Sequence, residues 1–497
     1  MKKNIIVGLH TYIHDGSMCT YNLDNHEIKY IKFERLTEKK HQCHNDPSIW
    51  IKYLNHLGYN HSQVKEIFVT EVLNLRKGLQ GEDIGVENLP QNMMKYFDSD
   101  TRLFLVDHHT AHFYSAGFIN GLVVDDVGSQ WETMTIFKKK QQRLKLDNFI
   151  HGCLGRHLDY LWWLWFLKDK GESIEMAVDK AGHTMALHGF GHDFSNKIEV
   201  IHYGNGYEAF INFKEKFKDK QNVENNYVTS LHHYYHKKIR NHLKRIFNKN
   251  EHITFTGGVG HNIILNTFLK NDFPNFEPQP HCGDEGLSIG ALRWGLKSIY
   301  GLRLKFSIEE MKQHDDNFGY AKKDTIKKVA EFLSQNKLVM WGQGWGELGP
   351  RALGFRSILM NPCAPNAKDI INEKIKKRVW FRPYGASVPV DSCKNYFEFE
   401  FESPWMLFQA KVKDPIKFSN ITHVDGTCRI QTVKKEVNPP YYGLLKDFEN
   451  LTGYPILINT SMNVPGKPIV GTRKQAKIMF DKSQADVLVI GDKIYTK

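Results

Sequence analysis

His108 and His112 stand four residues apart in the block Asp107-His108-His109-Thr110-Ala111-His112. On a helix that spacing puts both imidazoles on one face, within reach of a single cation. Surface histidines at this spacing are also ordinary, so the pair needs carboxylates. Asp125 ends an apolar, strand-like run, with Asp126 beside it as an alternative, and Asp284 lies in a glycine-rich turn. Two nitrogens and two oxygens suit Fe(II), Mn(II) or Zn(II), and open coordination positions suit a phosphate oxygen.

Two glycine turns precede helical patterns: Gly257-Gly258-Val259-Gly260-His261-Asn262 and Cys282-Gly283-Asp284-Glu285-Gly286. Their bare amides could cradle a nucleotide, or the glycines could simply solve a tight corner. The last third of the chain carries Gly349-Pro350-Arg351-Ala352-Leu353-Gly354-Phe355-Arg356-Ser357. After it come Lys374, Lys376, Lys377, Arg378 and Arg382, then His423-Val424-Asp425-Gly426-Thr427-Cys428-Arg429 and Asn459-Thr460-Ser461-Met462-Asn463. Guanidinium forks, a lysine and hydroxyl donors are what a compact dianion such as an acyl phosphate requires. A charged helix face explains Lys374 to Arg378 equally well, but not arginines set among Gly, Pro and Ala.

Short β-like runs must position these groups. Asn4 to Thr11, Ser17 to Leu23 and Glu27 to Glu34 read as a strand meander, and Gly121 to Asp125 with Glu132 to Lys138 repeats the strand, polar turn, strand unit. Arg102 to Val106 predicts a strand and His108 to Ile119 a helix. Tyr227 to Phe247, with Leu231, Tyr235, Ile239, Leu243 and Phe247 at four-residue spacing, predicts a long amphipathic helix feeding the strand His252 to Thr256. Lys322 to Gln335 predicts a helix leading into the strand Leu338 to Trp341. Leu457 to Asn459 and Val487 to Ile490 are further strands, and a domain boundary is expected near residue 310.

With 497 residues, 41% of them hydrophobic and 25% charged, the chain is long enough for about two to four domains and is not of disordered type. It contains no apolar run of bilayer length, and its start breaks off at His10 and His14 before a signal-type core can form, which argues against membrane insertion and secretion. Seven scattered cysteines without a C-x-x-C pair suggest neither a disulfide framework nor a cysteine zinc site, and fit a cytoplasmic setting. The net charge of +12 favours anionic partners or simple solubility.

Read together, these blocks resemble the O-carbamoyltransferase family of nodulation and antibiotic-tailoring enzymes along almost the whole chain. The matching pieces also include His14-Asp15-Gly16-Ser17, Phe381-Arg382-Pro383 and Gly466-Lys467-Pro468-Ile469-Val470. The resemblance implies an α/β fold: a duplicated actin-like (ASKHA, threonylcarbamoyl-transferase-like) domain over residues 1–310, then a YrdC-like α/β domain over 311–497. It implies that carbamoyl phosphate and ATP, the latter with Mg, give carbamoyl adenylate and pyrophosphate in the second domain. The carbamoyl group then passes to a hydroxyl in the first, and one chain that makes and spends a reactive acyl adenylate limits its loss to water.

By the same resemblance, Lys376, Arg382, Arg429 and Ser461 hold carbamoyl phosphate, with Arg351 and Arg356 near the phosphates. His108, His112, Asp125 and Asp284 ligate a divalent metal, and Gly257, Gly258, Asn262 and Asn266 line the nucleotide. His14 orients or deprotonates the acceptor hydroxyl with Asp15 beside it, where the residues alone equally allow a turn histidine capped by Asp15. The family has a Gly-Lys pair ahead of a Met-Gly-Leu-Ala run; the nearest stretch here is Ala181-Gly182-His183-Thr184-Met185-Ala186-Leu187, which leaves the lysine's role unassigned.

Acceptor choice lies outside these motifs. Between Phe213 and Lys249 basic residues outnumber acids and are interleaved with Phe217, Tyr227, Tyr234, Tyr235 and Phe247; Phe137-Lys138-Lys139-Lys140 with Arg143 and Lys145 adds a second basic segment. Lysines neutralising phosphates and rings stacking on a base suit a polynucleotide. The expected acceptor is a hydroxymethyl pyrimidine in a nucleotide or in DNA, such as DNA containing hydroxymethylcytosine, flipped out of the duplex to reach His14. A sugar or antibiotic hydroxyl is the second expectation. An actin-like ATPase or nucleic-acid-binding module without transfer activity is the third, and a second anion pocket argues against it.

Overall fold

The computed structural model describes residues 2–11, 14–43, 46–70, 97, 100–117, 119–125, 132–138, 142–148, 154–172, 180–198, 206–217, 221–304, 312–313 and 316–497. Its first sheet holds β1 (Ile5–His10), β2 (Ser17–Asn22), β3 (Ile28–Lys32), β4 (Val64–Thr70) and β5 (Arg102–Val106) in the order β3-β2-β1-β4-β5. The meander β1 to β3 is antiparallel, and β4 and β5 add in parallel. A second sheet repeats the plan with β6 (Gly121–Val124), β7 (Glu132–Lys138), β8 (Gln142–Asn148), β9 (Ile253–Thr256) and β10 (Phe276–Pro278), ordered β8-β7-β6-β9-β10. The antiparallel and parallel pairings recur in the same places. This duplication is the actin-like arrangement, with the strand ends of the two halves meeting at one cleft.

Burial on both faces explains the apolar strands. In β1, Ile5, Val7 and Leu9 join the core under Trp50 and Leu54, while Ile6 faces the other way toward the helix Leu287–Tyr300. Strand alternation then carries His10 onto the same face as Ile6. That helix also packs on the helix His108–Ala116, and Gly290 makes the approach possible: a Cβ there would lie 1.7 Å from the carbonyl oxygen of Ala111. The histidine helix ends at Gly117 rather than continuing to Ile119, as its C-cap.

β11 (Lys312–Gln313) pairs with β3 in the first sheet, so the chain leaves that sheet after residue 313. The third sheet has nine strands: β12 (Val339–Gly342), β13 (Arg356–Met360), β14 (Gly385–Pro389), β15 (Phe397–Glu398), β16 (Phe408–Val412), β17 (Thr427–Val433), β18 (Leu457–Ser461), β19 (Val487–Ile490) and β20 (Lys493–Thr496). Their order is β15-β16-β17-β14-β18-β13-β12-β19-β20, with one continuous core that starts at Phe318. The helix Pro439–Thr452 begins where Asn438 caps the amide of Tyr441 and Pro439 fills the first turn, and ends at Gly453. Among the described residues no helix is long and apolar enough to cross a membrane, and Cys19, Cys282, Cys363, Cys393 and Cys428 carry free thiols; Cys153 lies outside the described residues.

Candidate active site

The two histidines and two aspartates converge. His108 Nε2 and His112 Nε2 lie 3.0 and 2.8 Å from Asp125 Oδ2, and Asp284 Oδ1 lies 3.7 and 3.4 Å from the same two nitrogens. One ligand atom from each falls within 4.8 Å of the others, and all four residues are buried. Against the opposing effect of burial, Asp125 and Asp284 raise the His112 imidazole to about 9. Burial alone would raise both aspartates, yet the neighbouring histidines hold them below the usual carboxylate range. Two imidazole nitrogens facing two carboxylates form a donor set that fits a divalent cation of the Fe, Mn or Zn type. Asp126 lies outside the described residues.

His10, which the motif pattern missed, reaches Asp284 Oδ2 at 3.5 Å, and His14 Nδ1 lies 3.7 Å from the same oxygen. The signal for His10 was the alternation of β1. Asp15 Oδ2 accepts from His14 Nδ1 at 3.1 Å and His41 Nδ1 at 2.9 Å, while its Oδ1 pairs with buried Lys32 at 2.6 Å. Burial opposes ionisation of Asp15, but Lys32 and the two imidazoles hold its pKa well below the ordinary value. Thus His14 and Asp15 sit beside the four-residue cluster, joined by His41 and Lys32.

The glycine turn has partners of its own. Gly257 donates to the carbonyl of Cys282 at 2.7 Å, and Gly258 donates to Asp125 Oδ1 at 3.2 Å. Asn262 caps the helix Ile263–Asp272 through the amides of Ile264 and Leu265 and donates to His232. Asn266 donates to the carbonyls of Gly260 and Leu407. The expected place on a nucleotide is corrected for Asn262, whose amide oxygen and nitrogen are both spent; Asn266 is fully buried, its Nδ2 spent and its Oδ1 unpartnered among the described residues, and of the four only Gly258 is exposed.

A second cavity lies between the actin-like part and the third sheet. Arg351, Arg378, Arg382, Arg429, Thr460 and Ser461 line it from the C-terminal side, and Gly182, Met185, Gly189 and Ile263 close it from the other. Strand register gives Arg429, Asn459 and Ser461 one face of the sheet: Ser387 pairs with Gln431 and Leu457, and side chains two residues apart point the same way. Among the described residues none of the four arginines is paired with a carboxylate. Burial, then repulsion by Arg351, Arg382 and Arg378, depresses the guanidinium of Arg429; burial, then Arg378 and Arg351, lowers Arg382 to about 9.

Lys376 donates to the carbonyl and hydroxyl of Ser461 and, at 2.6 Å, to Asn463 Oδ1, which places it behind Ser461. Arg378 was legible only as part of a basic run. Lys377 takes a left-handed conformation (φ 45°) that ends the helical turn and lets Arg378 reach Thr460 Oγ1 at 3.1 Å. Arg356 is a correction. Its guanidinium is fully buried, donates to the carbonyls of Gln343, Phe355, Asp316 and Gly344, and stacks 3.6 Å from the ring centre of Phe318. It braces the sheet instead of lining the cavity.

The arginine cavity and the histidine–aspartate cluster lie to either side of one packed turn. Gly349, two residues before Arg351, packs so closely on the residues that lead to Asp284 that a Cβ would lie 2.1 Å from the carbonyl of Pro280. The basic long helix, Val223–Ile246, differs from expectation in its rings: Tyr227, Tyr235 and Phe247 are core residues, and Phe217 and Tyr234 pack against them. Arg240 and His236 pair with Asp272. Among the described residues no aromatic stacking platform accompanies the exposed Lys237, Lys244, Arg245 and Lys249. Lys139, Lys140 and the side chains of Arg143 and Lys145 lie outside the described residues.

Residues 330–497 match the family described as carbamoyltransferase C-terminus. The chain is 27% identical to nodulation protein NolNO of Sinorhizobium fredii over 98% of its own length and 79% of that protein. It is 34% identical over 165 residues to 3'-hydroxymethylcephem-O-carbamoyltransferase of Amycolatopsis lactamdurans, covering 33% of this chain and 32% of that one. An uncharacterized Synechocystis protein is 34% identical over 294 residues, 50% of this chain and 48% of that one. The family match lies in this C-terminal part of the chain. The chain spans about half the length of the first curated relatives it matches.

Proposed function

We propose that the chain transfers a carbamoyl group from carbamoyl phosphate, activated with ATP, to a substrate hydroxyl. The observation that carries this reading is the cavity lined by four arginines, none of them in an ion pair among the described residues, with Ser461 and, behind it, Lys376; the carboxylate in its lining, Asp425, is taken up by Thr427 and His423. Cations gathered in this excess are costly in an empty protein and are relieved by a phosphate dianion. The balanced chemistry needs one water: it cleaves carbamoyl phosphate to carbamate and inorganic phosphate. A carbamate oxygen then attacks the α-phosphorus of ATP and expels pyrophosphate. The acceptor oxygen next attacks the carbamoyl carbon, its proton leaves to a base, and AMP departs.

His14 suits that base. Asp15 accepts from its Nδ1, which leaves Nε2 as the proton acceptor, and Lys32 and His41 fix Asp15 in turn. A cation held by His108, His112, Asp125 and Asp284 would supply Lewis-acid charge to an adenylate phosphate oxygen. The close packing of Gly349, two residues before Arg351, on the segment that leads to Asp284 keeps the arginine cavity and the cluster near each other, which favours making and using the intermediate within one chain.

For the acceptor, a small hydroxylated molecule such as a sugar or antibiotic takes precedence over a polynucleotide, because the rings of the basic helix are packed in the core. Incubating the protein with ATP, carbamoyl phosphate and a panel of polyols, hydroxymethyl nucleotides and hydroxymethylated DNA tests both. Mass spectrometry should find the gain of one carbamoyl group on an acceptor, with pyrophosphate release that requires carbamoyl phosphate. Formation of ADP and phosphate without the donor would instead mark a plain ATPase. Modification of DNA that declines steeply with added salt would restore the nucleic-acid reading.

A further inference from the structure

Four guanidiniums grip any phosphate, and phosphate is common to carbamoyl phosphate, acetyl phosphate and inorganic phosphate. The carbamoyl group differs from acetyl by an NH2, a pair of donors in place of a methyl. Selecting it takes a buried acceptor with nothing else to do.

Asn459 lines the arginine cavity beside Thr460 and Ser461 and is 1% exposed. Its Nδ2 faces three acceptors: the carbonyl of Ala352 at 3.1 Å, Ser387 Oγ at 2.9 Å and Gln431 Oε1 at 3.1 Å. Each is fixed in that role. Gln431 donates from Nε2 to the carbonyl of Leu353 at 3.0 Å, which turns its Oε1 toward Asn459. The Ser387 hydroxyl donates to that same Oε1 at 2.7 Å and so receives from Asn459, and the Ala352 carbonyl can only accept. The amide cannot flip without setting oxygen against oxygen. Its Oδ1 is left buried with no hydrogen-bond partner among the described residues. Across the sheet, Asn459 is paired with Gly385, over which Met406 packs, its Sδ 3.0 Å from where a Cβ would stand; Gly385 and Met406 line the same cavity.

We propose that Asn459 Oδ1 accepts a hydrogen bond from the carbamoyl NH2 and is the residue that selects carbamoyl over acetyl donors. This rests on the carbamoyl-phosphate reading above. Asn459 makes and breaks no covalent bond; it reads one group while the arginines hold the phosphate.

The test compares carbamoyl phosphate with acetyl phosphate in driving pyrophosphate release from ATP by the intact protein. Wild type should prefer carbamoyl phosphate by roughly 100-fold or more in kcat/KM. Asn459→Ala should bring carbamoyl phosphate down toward the acetyl phosphate value while leaving binding of inorganic phosphate unchanged. Should that variant fail to fold, Gln431→Leu keeps Asn459 but frees its amide to turn, and should narrow the preference about 10-fold. Equal use of the two donors by wild type, or an undiminished preference in the folded variants, would overturn the role of Asn459 while leaving the transferase reading intact. No pyrophosphate with carbamoyl phosphate would remove both.

Discussion

Arg382 donates from Nη1 to His183 Nε2 at 2.9 Å, a bond that joins the arginine cavity to the actin-like part of the chain. Burial, then Arg382, Lys180 and Arg378, depress the His183 imidazole to about 3, so it is a neutral acceptor at any working pH. His183 stands in the stretch where the family's Gly-Lys pair has no counterpart. Its ring packs 4.8 Å from Trp162, which holds it in place.

Removing that acceptor should loosen Arg382 without emptying the cavity of charge. His183→Phe is expected to raise KM for carbamoyl phosphate about 10-fold with kcat little changed, the size of one lost hydrogen bond to a charged group. His183→Gln, which can still accept, should recover most of it. Steady-state kinetics on both variants decides, and equal KM values in all three proteins would make the contact structural only.

Anion binding should be coupled to proton uptake. Burial, then Arg378, Arg382 and Lys40, push Lys376 well below its ordinary value in the empty site. A bound dianion favours the charged form and raises it again. Between those two values binding takes up a proton, and affinity weakens as pH rises through that window. Calorimetry in buffers of different ionisation enthalpy reads the uptake; Lys376→Met should abolish it.

The arginines should trade stability for binding. In the empty protein Arg429 faces Arg351, Arg382 and Arg378. Arg429→Met relieves this crowding, and an increase of about 1 kcal/mol in unfolding free energy is expected. Donor-dependent pyrophosphate release should drop by 100-fold or more. A thermal melt and an activity assay on one preparation check both, and a lowered melting temperature would contradict the repulsion argument.

Metal content should follow the four-residue cluster. Chelator-treated protein should take up close to one divalent ion per chain, and Asp125→Ala should lose at least 100-fold in affinity, as a missing ligand exceeds the 10- to 100-fold typical of outer-sphere partners. Elemental analysis after gel filtration gives the stoichiometry. Retention of the ion by both Asp125→Ala and His112→Ala would remove the cluster as its site.

Gly290 offers a test of the packing that builds this cluster. Gly to Ala inside a helix ordinarily stabilises by about 1 kcal/mol. Here a Cβ would meet the carbonyl of Ala111 at 1.7 Å, on the helix that carries His108 and His112. Gly290→Ala should therefore destabilise by about 2–3 kcal/mol and lower metal affinity together, measured by denaturant unfolding and metal titration.

The sequence alone determined the duplicated strand plan, the histidine helix and the carboxylates opposite it, because these depend on periodicities of two and of 3.6 residues and on residue types that stand close in the chain. It also marked Arg351, Arg382, Arg429 and Ser461. It could not tell Arg356, which spends its donors on four carbonyls, from Arg378, which reaches the cavity once Lys377 turns left-handed. Nor could it show that Asn262 is occupied, that the rings of the basic helix are core, or that Asn459 keeps a lone acceptor. Those outcomes depend on which groups, many of them tens of residues apart and some as many as 141, meet each donor and acceptor. Hydrogen-bond satisfaction is a property of the packed interior, so only tertiary structure could assign it.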